Sequence, residues 1–321
     1  MRVGIWADLR NPPQWRRPWH HHYSWTLDVI CEADRLGARS VWLSEHHFFE
    51  DGYLPQPLTF AAAVAARTRA IRIGTAVLVA PLRHPLQLAE EAAIVDILSD
   101  GRLDLGLGAG YRRPEFEAFG ATCARRYEVF EEMVQQLRGV WSDTTVPIPI
   151  RDPLPLWGGF VGPRGAGMAG RLGMGLIAVG NGPYKDYASG VAGAGWDASH
   201  QRVVSGLIAL IVADDPEAAA HRIGPHFAYQ HDTYKRYEAE GSGRPAEPAS
   251  RTLRVLTPAD AVRYIKQSCE GVPVEKSSAG SAWPACQRIS QNATWNCSAR
   301  PWRVTLQTRD AGPATVGGMS K

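Results

Sequence analysis

The feature that most constrains this chain is a repeated change of hydrophobic period. Short apolar, β-branched runs alternate with longer stretches whose apolar residues recur at helical spacing. The strand-like runs are 3–7, 40–44, 71–79, 103–108, 154–159, 175–179 and 203–213. Helical patterns fill 23–36, 57–68, 85–98, 116–140 and 164–172, and further helices open at 215–217 and at Thr257-Pro258. Pro57 and Pro85 suit first helical turns, where no backbone N–H is needed, while Gly37 and Gly101 suit C-caps that require positive φ. This rhythm predicts parallel strands joined by crossover helices. Runs such as IGTAVLV (73–79) are apolar on both faces, as when helices cover one side and a barrel interior fills the other. The expected fold is therefore α/β, a TIM (β/α)8 barrel.

Seven strand–helix units end before residue 266, and the sequence after about 268 does not cleanly supply the eighth. The chain reads as a barrel domain over 1–268 and an atypical tail over 269–321. That tail holds three of the five cysteines, and Trp283, Trp295 and Trp302, without sustained periodicity. It reads as a disordered extension or as the product of a reading-frame change. Asn296 to Arg303 can be encoded by codons that, read one base earlier, spell Glu-Leu-Leu-Gly-Ala-Ser-Val-Ala, an amphipathic helix.

Charge and composition exclude several classes. A net charge of +3 over 321 residues gives no focused field, and no basic stripe with interleaved aromatics points to nucleic acid. The N-terminal MRVGIWADLR lacks the apolar run of a secretory signal, and no apolar stretch reaches the length of a membrane span. The scattered cysteines read as free thiols in a cytoplasmic protein.

Three segments carry candidate chemistry. Glu45-His46-His47 ends the second strand, where barrel residues converge on the active-site rim. An imidazole there titrates near neutral pH and can exchange protons with a bound substrate. Adjacent histidines on extended backbone point to opposite sides, so one is expected to face the centre; a histidine pair satisfied within its own loop is the alternative. The fourth strand runs into Gly108-Ala109-Gly110-Tyr111-Arg112-Arg113, whose glycines let a flat ring or phosphate approach the backbone. Trp157-Gly158-Gly159-Phe160 leads through Gly162-Pro163 to Arg164 at a helix start, a possible phosphate site or simply a glycine-rich turn. No metal is expected, because the first strand offers Trp6 and Asp8 rather than a His-x-His ligand pair.

In this order, the EHHF segment at 45–48, GTAV at 74–77, HP-x-x-x-AEE at 84–91 and DGR-x-x-x-G-x-G-x-G-Y at 100–111 resemble the bacterial luciferase-like family of flavin-dependent monooxygenases. The resemblance extends more loosely over residues 1–265. It implies reduced FMN supplied by a separate flavin reductase, with dioxygen used to oxidise a small organic substrate. A deazaflavin coenzyme used for hydride transfer on the same fold is the alternative, and a catalytically decayed flavin-binding protein is another. His46 matches the family's catalytic histidine, with Glu45 and His47 orienting it. Ala76-Val77 matches a non-proline cis peptide beneath the flavin, and Glu115 an acidic position near it. Gly108, Ala109, Gly110, Gly158, Gly159, Phe160 and Arg164 are the remaining cofactor candidates. Trp6, Phe48, Tyr111 and Trp157 are the expected substrate-pocket aromatics. Ala109 stands where luciferases carry a phosphate-binding arginine, which shifts that task to Arg112, Arg113, Arg164 or backbone N–H groups. A homodimer through helices two and three, using Ala61 to Ala66 and Glu90, is also implied.

Overall fold

The computed structural model describes residues 2–143, 147–179, 182–207, 209–242 and 252–280. Its core is a ring of parallel strands: β1 (Arg2–Ala7), β2 (Ser40–Leu43), β3 (Arg72–Thr75), β4 (Leu103–Gly108), β5 (Leu156–Gly159), β6 (Gly175–Ala178), β7 (Val203–Leu207) and β8 (Val274–Gly280). Each pairs with the next, and β8 returns to β1 through the register Arg2↔Lys276 to Trp6↔Gly280. Closure leaves no open edge among these strands, and it turns the C-terminal strand ends toward one rim.

The barrel interior is filled by tryptophans. Trp42 and Trp157 meet edge to face at 6.2 Å, with Trp6 and Val204 packed beside them. Their bulk is accommodated by glycines on neighbouring strands: a Cβ at Gly74 or at Gly175 would lie 2.3 Å from an indole carbon of Trp42 or Trp157. Outside run α1 (Trp19–Arg35), α2 (Pro57–Arg67), α3 (Pro85–Leu98), α4 (Arg113–Ala118), α5 (Arg126–Asp143), α6 (Pro163–Arg171), α7 (Tyr184–Gly193), α8 (Pro216–Ser242) and α9 (Pro258–Ser268). Among the described residues no helix is long and apolar enough to cross a membrane.

Several boundaries differ from the sequence reading. The single helix expected at 116–140 is split into α4 and α5, because Gly120 takes φ +68° and Ala121 N–H turns back to the Phe116 carbonyl. The strand expected over 71–79 breaks after Thr75 and resumes at Leu78–Val79. At the break, the Thr75 hydroxyl donates to the Gly106 carbonyl and accepts from the Gly106 N–H, replacing the ladder. The run 203–213 also divides. Its second part, Leu210–Val212, leaves the barrel to pair with Arg254–Leu256, and Ile211, Ala219 and Ile223 form a small core beneath α8.

The eighth strand, which the sequence after about 268 does not cleanly supply, is present in the structure. Val274–Gly280 lies within the segment read as a tail, and β1 and β7 both hydrogen-bond to it. A strand paired on both sides draws its backbone bonds from two neighbours and does not depend on its own strand propensity. Residues 281–321, where the readings of disorder and a changed frame chiefly fall, lie outside the described residues.

His22, on the first turn of α1, ties the rim to the wall. Its Nε2 lies 3.0 Å from the Leu9 carbonyl, and burial holds its pKa below the ordinary 6.5. The folded state thus disfavours the protonated ring, so its contribution is complete above pH 6.5 and is lost as pH falls toward the depressed value. Thermal unfolding from pH 8 to pH 5 is expected to show a loss of stability that His22→Gln reduces; equal pH slopes for the two proteins would contradict this.

Candidate active site

The rim is built around the chain that follows β2. Extended backbone sends successive side chains to opposite sides, and Glu45, His46 and His47 take different surroundings. Glu45 is buried, where its carboxylate accepts from the Val79 N–H at 2.8 Å and from Arg83 Nη2 at 2.8 Å, and meets His47 Nε2 at 2.8 Å. The His47 ring also packs on Phe119 at 4.7 Å. Glu45 and Phe119 line a cleft of about 240 Å³ with Arg83, His84, Gln87 and Glu91 of the α3 region. The His47 arm is therefore turned toward the helical layer.

His46 faces a different set of groups. Its Nδ1 lies 3.1 Å from Glu115 Oε1, and the same oxygen accepts the His47 backbone N–H at 2.9 Å. The ring stacks on Phe49 at 4.7 Å and 18°, while Tyr53, Tyr111 and Tyr234 meet it at 4.9, 5.7 and 6.1 Å. An ionised carboxylate only accepts, so the pairing assigns the proton to Nδ1 and leaves Nε2 as the exchanging nitrogen. The His46 side chain retains 11% exposure, against 1% for Glu115. Glu115 comes from the first turn of α4, brought to the rim by the loop after β4.

At the same rim, where the chain leaves β3, Ala76 and Val77 make a platform that touches Ser44 of the turn carrying His46. Their peptide bond is cis, and it is held by hydrogen bonds from below: Trp6 Nε1 donates to Ser44 Oγ at 2.5 Å, and that hydroxyl donates to the Ala76 carbonyl at 2.7 Å. The Val77 side chain lies between β4 and β5. A Cβ at Gly108 would fall 2.4 Å from Val77 Cγ2, and one at Gly159 would fall 2.2 Å from Cγ1. The glycines expected to admit a flat ring or phosphate are thus required first by this valine. Gly110 has φ +69°, and a Cβ there would meet Val79 and Phe116. Ala109 is buried, and Gly158 packs against Ala169 and Phe160.

Several expected site residues are placed differently. Trp157, 1% exposed, fills the barrel and does not reach the rim, and Trp6 supports the platform from below. Phe48 is 63% exposed with φ +61° and sits 6.5 Å from Phe119, away from His46; Phe49 is the ring stacked on the imidazole. The Phe160 N–H is bonded to the Ile177 carbonyl, and its side chain packs on Tyr127 and Phe130, so it is a core residue. Arg112 is buried and engaged, donating to the His47 carbonyl and pairing with Glu240. Arg113 is exposed on the first turn of α4. Arg164 is exposed at the start of α6, 4.4 Å from the Tyr127 ring, and Arg126 approaches the same ring at 4.9 Å. Arg126 Nε is buried with no hydrogen-bond partner among the described residues.

The sequence reading missed Arg10 and the inner face of α8. Arg10 pairs with Asp8 and Asp51 and lies 4.7 and 4.4 Å from the Tyr53 and Tyr234 rings, whose hydroxyls are 2.8 Å apart. Burial alone would pull the Arg10 guanidinium down in pKa, but Tyr234 and the two carboxylates raise it above its ordinary value. From α8, Gln230 donates to Asp8, and Tyr234 and Tyr237 close the aromatic wall. The spacing His226, Gln230, Thr233 and Tyr237 is a helical stripe and was legible, but nothing in it indicates which part of the barrel it covers. Among the described residues no cluster of three His, Cys, Asp or Glu could hold a metal ion.

The closed parallel barrel sets the fold in which these residues meet. Residues 1–265 match the family described as luciferase-like monooxygenase, and the chain belongs to that family. It is 33% identical over 152 residues to the oxygenase component of flavin-dependent trigonelline monooxygenase from Acinetobacter baylyi, covering 42% of each chain. It is 31% identical over 172 residues to F420-dependent glucose-6-phosphate dehydrogenase from Amycolatopsis mediterranei, covering 47% of this chain and 52% of that one. The alignments thus span about half or less of these curated relatives. Monooxygenase RslO1 from Streptomyces bottropensis has a similar fold, with TM-score 0.75, 24% identity and coverage of 90% and 97%. So does the oxygenating constituent of 3,6-diketocamphane monooxygenase from Pseudomonas putida, with TM-score 0.74, 18% identity and coverage of 90% and 94%. Flavin-dependent monooxygenases and F420-dependent oxidoreductases are both among the relatives.

Overpacking at the platform is directly testable. Gly159→Ala should destabilise the protein by about 1–3 kcal/mol through its clash with Val77. Adding Val77→Ala should recover part of that loss, as read by denaturant unfolding; additive losses in the double variant would argue against the contact.

Proposed function

We propose that this chain is the oxygenase component of a two-component monooxygenase that uses reduced FMN and dioxygen to oxidise a small organic substrate such as an aldehyde, ketone or aromatic, polyketide-like compound. The observation that carries this reading is the His46 Nδ1–Glu115 pair at the C-terminal rim of the barrel. The residues present fit a flavin. Val77 and the strand ends at Gly108, Ala109, Gly110, Gly158 and Gly159 would hold the ring system, and Arg126 has a buried Nε with no partner among the described residues. With Arg164 and the unsatisfied first-turn amides of α6, Arg126 would hold the phosphate. A reduced flavin, when bound there, would supply the electrons that activate dioxygen.

The protein's own part is to position groups and move a proton. Glu115 keeps the proton on His46 Nδ1, so Nε2 accepts a proton from the substrate and returns it. Glu45 and His47 brace the turn that carries the imidazole. Phe49, Tyr53, Tyr111 and Tyr234 make an aromatic surround that excludes water and favours a flat or apolar substrate. A separate reductase would supply the flavin, as the naming of the trigonelline relative as an oxygenase component suggests. The F420-dependent relative favours a second reading, hydride transfer from a deazaflavin on the same platform. Catalytic decay is the weaker reading, because His46 and Glu115 are both present and paired.

A homodimer through α2 and α3 is part of the proposal. Leu86, Ile94, Ile97 and Leu98 form an exposed apolar stripe on α3, with exposed Glu90 within it. On α2, Ala61 and Ala65 are buried, whereas Ala66 is exposed and open to close helix contact. A cytoplasmic location accords with the cysteines being read as free thiols.

Oxygen uptake with reduced FMN, compared with anaerobic turnover using reduced deazaflavin, separates the two cofactor readings; turnover under strict anaerobiosis would overturn the monooxygenase. His46→Ala should lower turnover by about 10²–10⁴-fold with flavin affinity changed only a few-fold, and unchanged turnover would remove His46 from the mechanism. Ile94→Asp should shift the protein from dimer to monomer in light scattering.

A further inference from the structure

The wall behind His46 continues outward to a residue far away in sequence. We propose that Tyr237, near the C-terminal end of α8, is a positioning residue that fixes the plane and tautomer of His46 through Phe49. The inference rests on the proton-exchange role proposed for His46, and it adds a component supplied by α8.

Three rings form one stack. His46 lies on Phe49 at 4.7 Å and 18°, and Phe49 lies on Tyr237 at 3.8 Å and 25°. Phe49 and Tyr237 are both buried. The outer ring is pinned. Its hydroxyl accepts from the Glu50 backbone N–H at 3.2 Å and from Arg236 Nη2 at 3.3 Å. The Arg112 guanidinium stands 4.5 Å from the Tyr237 ring and 5.3 Å from Phe49, donates to the His47 carbonyl, and pairs with Glu240 one turn further along α8. Arg236 pairs with Glu50 at 3.0 Å. The C-terminal half of α8 is thus fastened to the loop that carries His46.

Two restraints of different kind then act on the imidazole, and the second supports the first. The Glu115 contact decides which ring nitrogen carries the proton, because a half-turn of the ring would put a carbon at the carboxylate. The Phe49 face sets the plane of the ring but would permit that half-turn. Phe49 can set a plane only if its own is fixed, and Tyr237 is what it rests on. Removing the Tyr237 ring leaves a cavity into which Phe49 relaxes. His46 then follows, its 3.1 Å contact with Glu115 lengthens, and the preference for the Nδ1–H tautomer weakens.

The full chain labelled with 15N-histidine tests this without cofactor. The ring nitrogen shifts of His46, assigned by comparison with His46→Ala, report the tautomer of the neutral ring. The native protein should show Nδ1–H. Tyr237→Phe keeps the stacked ring while losing the hydroxyl contacts, and should retain that signature. Tyr237→Leu keeps bulk without a flat face, and should give a mixture of tautomers together with a kcat loss of about ten- to a hundredfold that exceeds any change in KM. Tyr237→Leu with native His46 shifts would overturn the proposal, and so would loss of the signature in Tyr237→Phe with the fold intact by circular dichroism. A tautomer change in Tyr237→Leu beside unchanged turnover in His46→Ala would uphold the positioning role and remove the proposed chemistry.

Discussion

One carboxylate, that of Glu115, holds the rim in register. Its Oε1 accepts from the His46 ring and from the His47 backbone N–H, so it fixes a side chain and the main chain of the same turn. A buried carboxylate left unpaired would be costly, and the two contacts at one oxygen offset that cost. The α4 helix that carries it is only six residues long and is anchored by buried Phe116 and Glu115. Extended backbone sends the two histidines to opposite sides, and this contact fixes His46 on the side of the mouth while Glu45 and Phe119 hold His47 in the helical layer.

The Ala76-Val77 platform follows the same logic of mutual constraint. Val77 fits because Gly108 and Gly159 lack a Cβ, and the Ala76 carbonyl is held by Ser44, which is in turn held by Trp6. The barrel's tryptophans do more than fill space: Trp6 connects the packed interior to the polar rim. Rigid support beneath a reactive surface is what a site needs when its geometry must persist between ligands.

Much of the fold was readable along the chain. Strand and helix periods located seven barrel strands, and the Glu45-His46-His47 turn was expected at a strand end on position alone. The eighth strand was not readable, because VEKSSAG (274–280) has neither alternation nor β-branched density; its placement comes from two neighbouring strands. Phe48 and Phe49 could not be told apart by sequence, since either could face the mouth, and the positive φ at Phe48 decided which did. Arg112, a candidate for phosphate on charge alone, is already engaged by His47 and Glu240, and charge in a sequence carries no record of prior engagement.

The sequence by itself determined the alternation of strand and helix, the family motifs and the positions of the histidine turn and the glycine-rich strand ends. These are properties of local period and of residues within a few positions of one another. Tertiary structure alone decided that Glu115, 69 positions from His46, meets it, and that Tyr237, 187 positions from Glu50, closes the wall behind it. Contacts at such separations depend on how the ring closes and on which way each loop leaves it, and no local pattern encodes either.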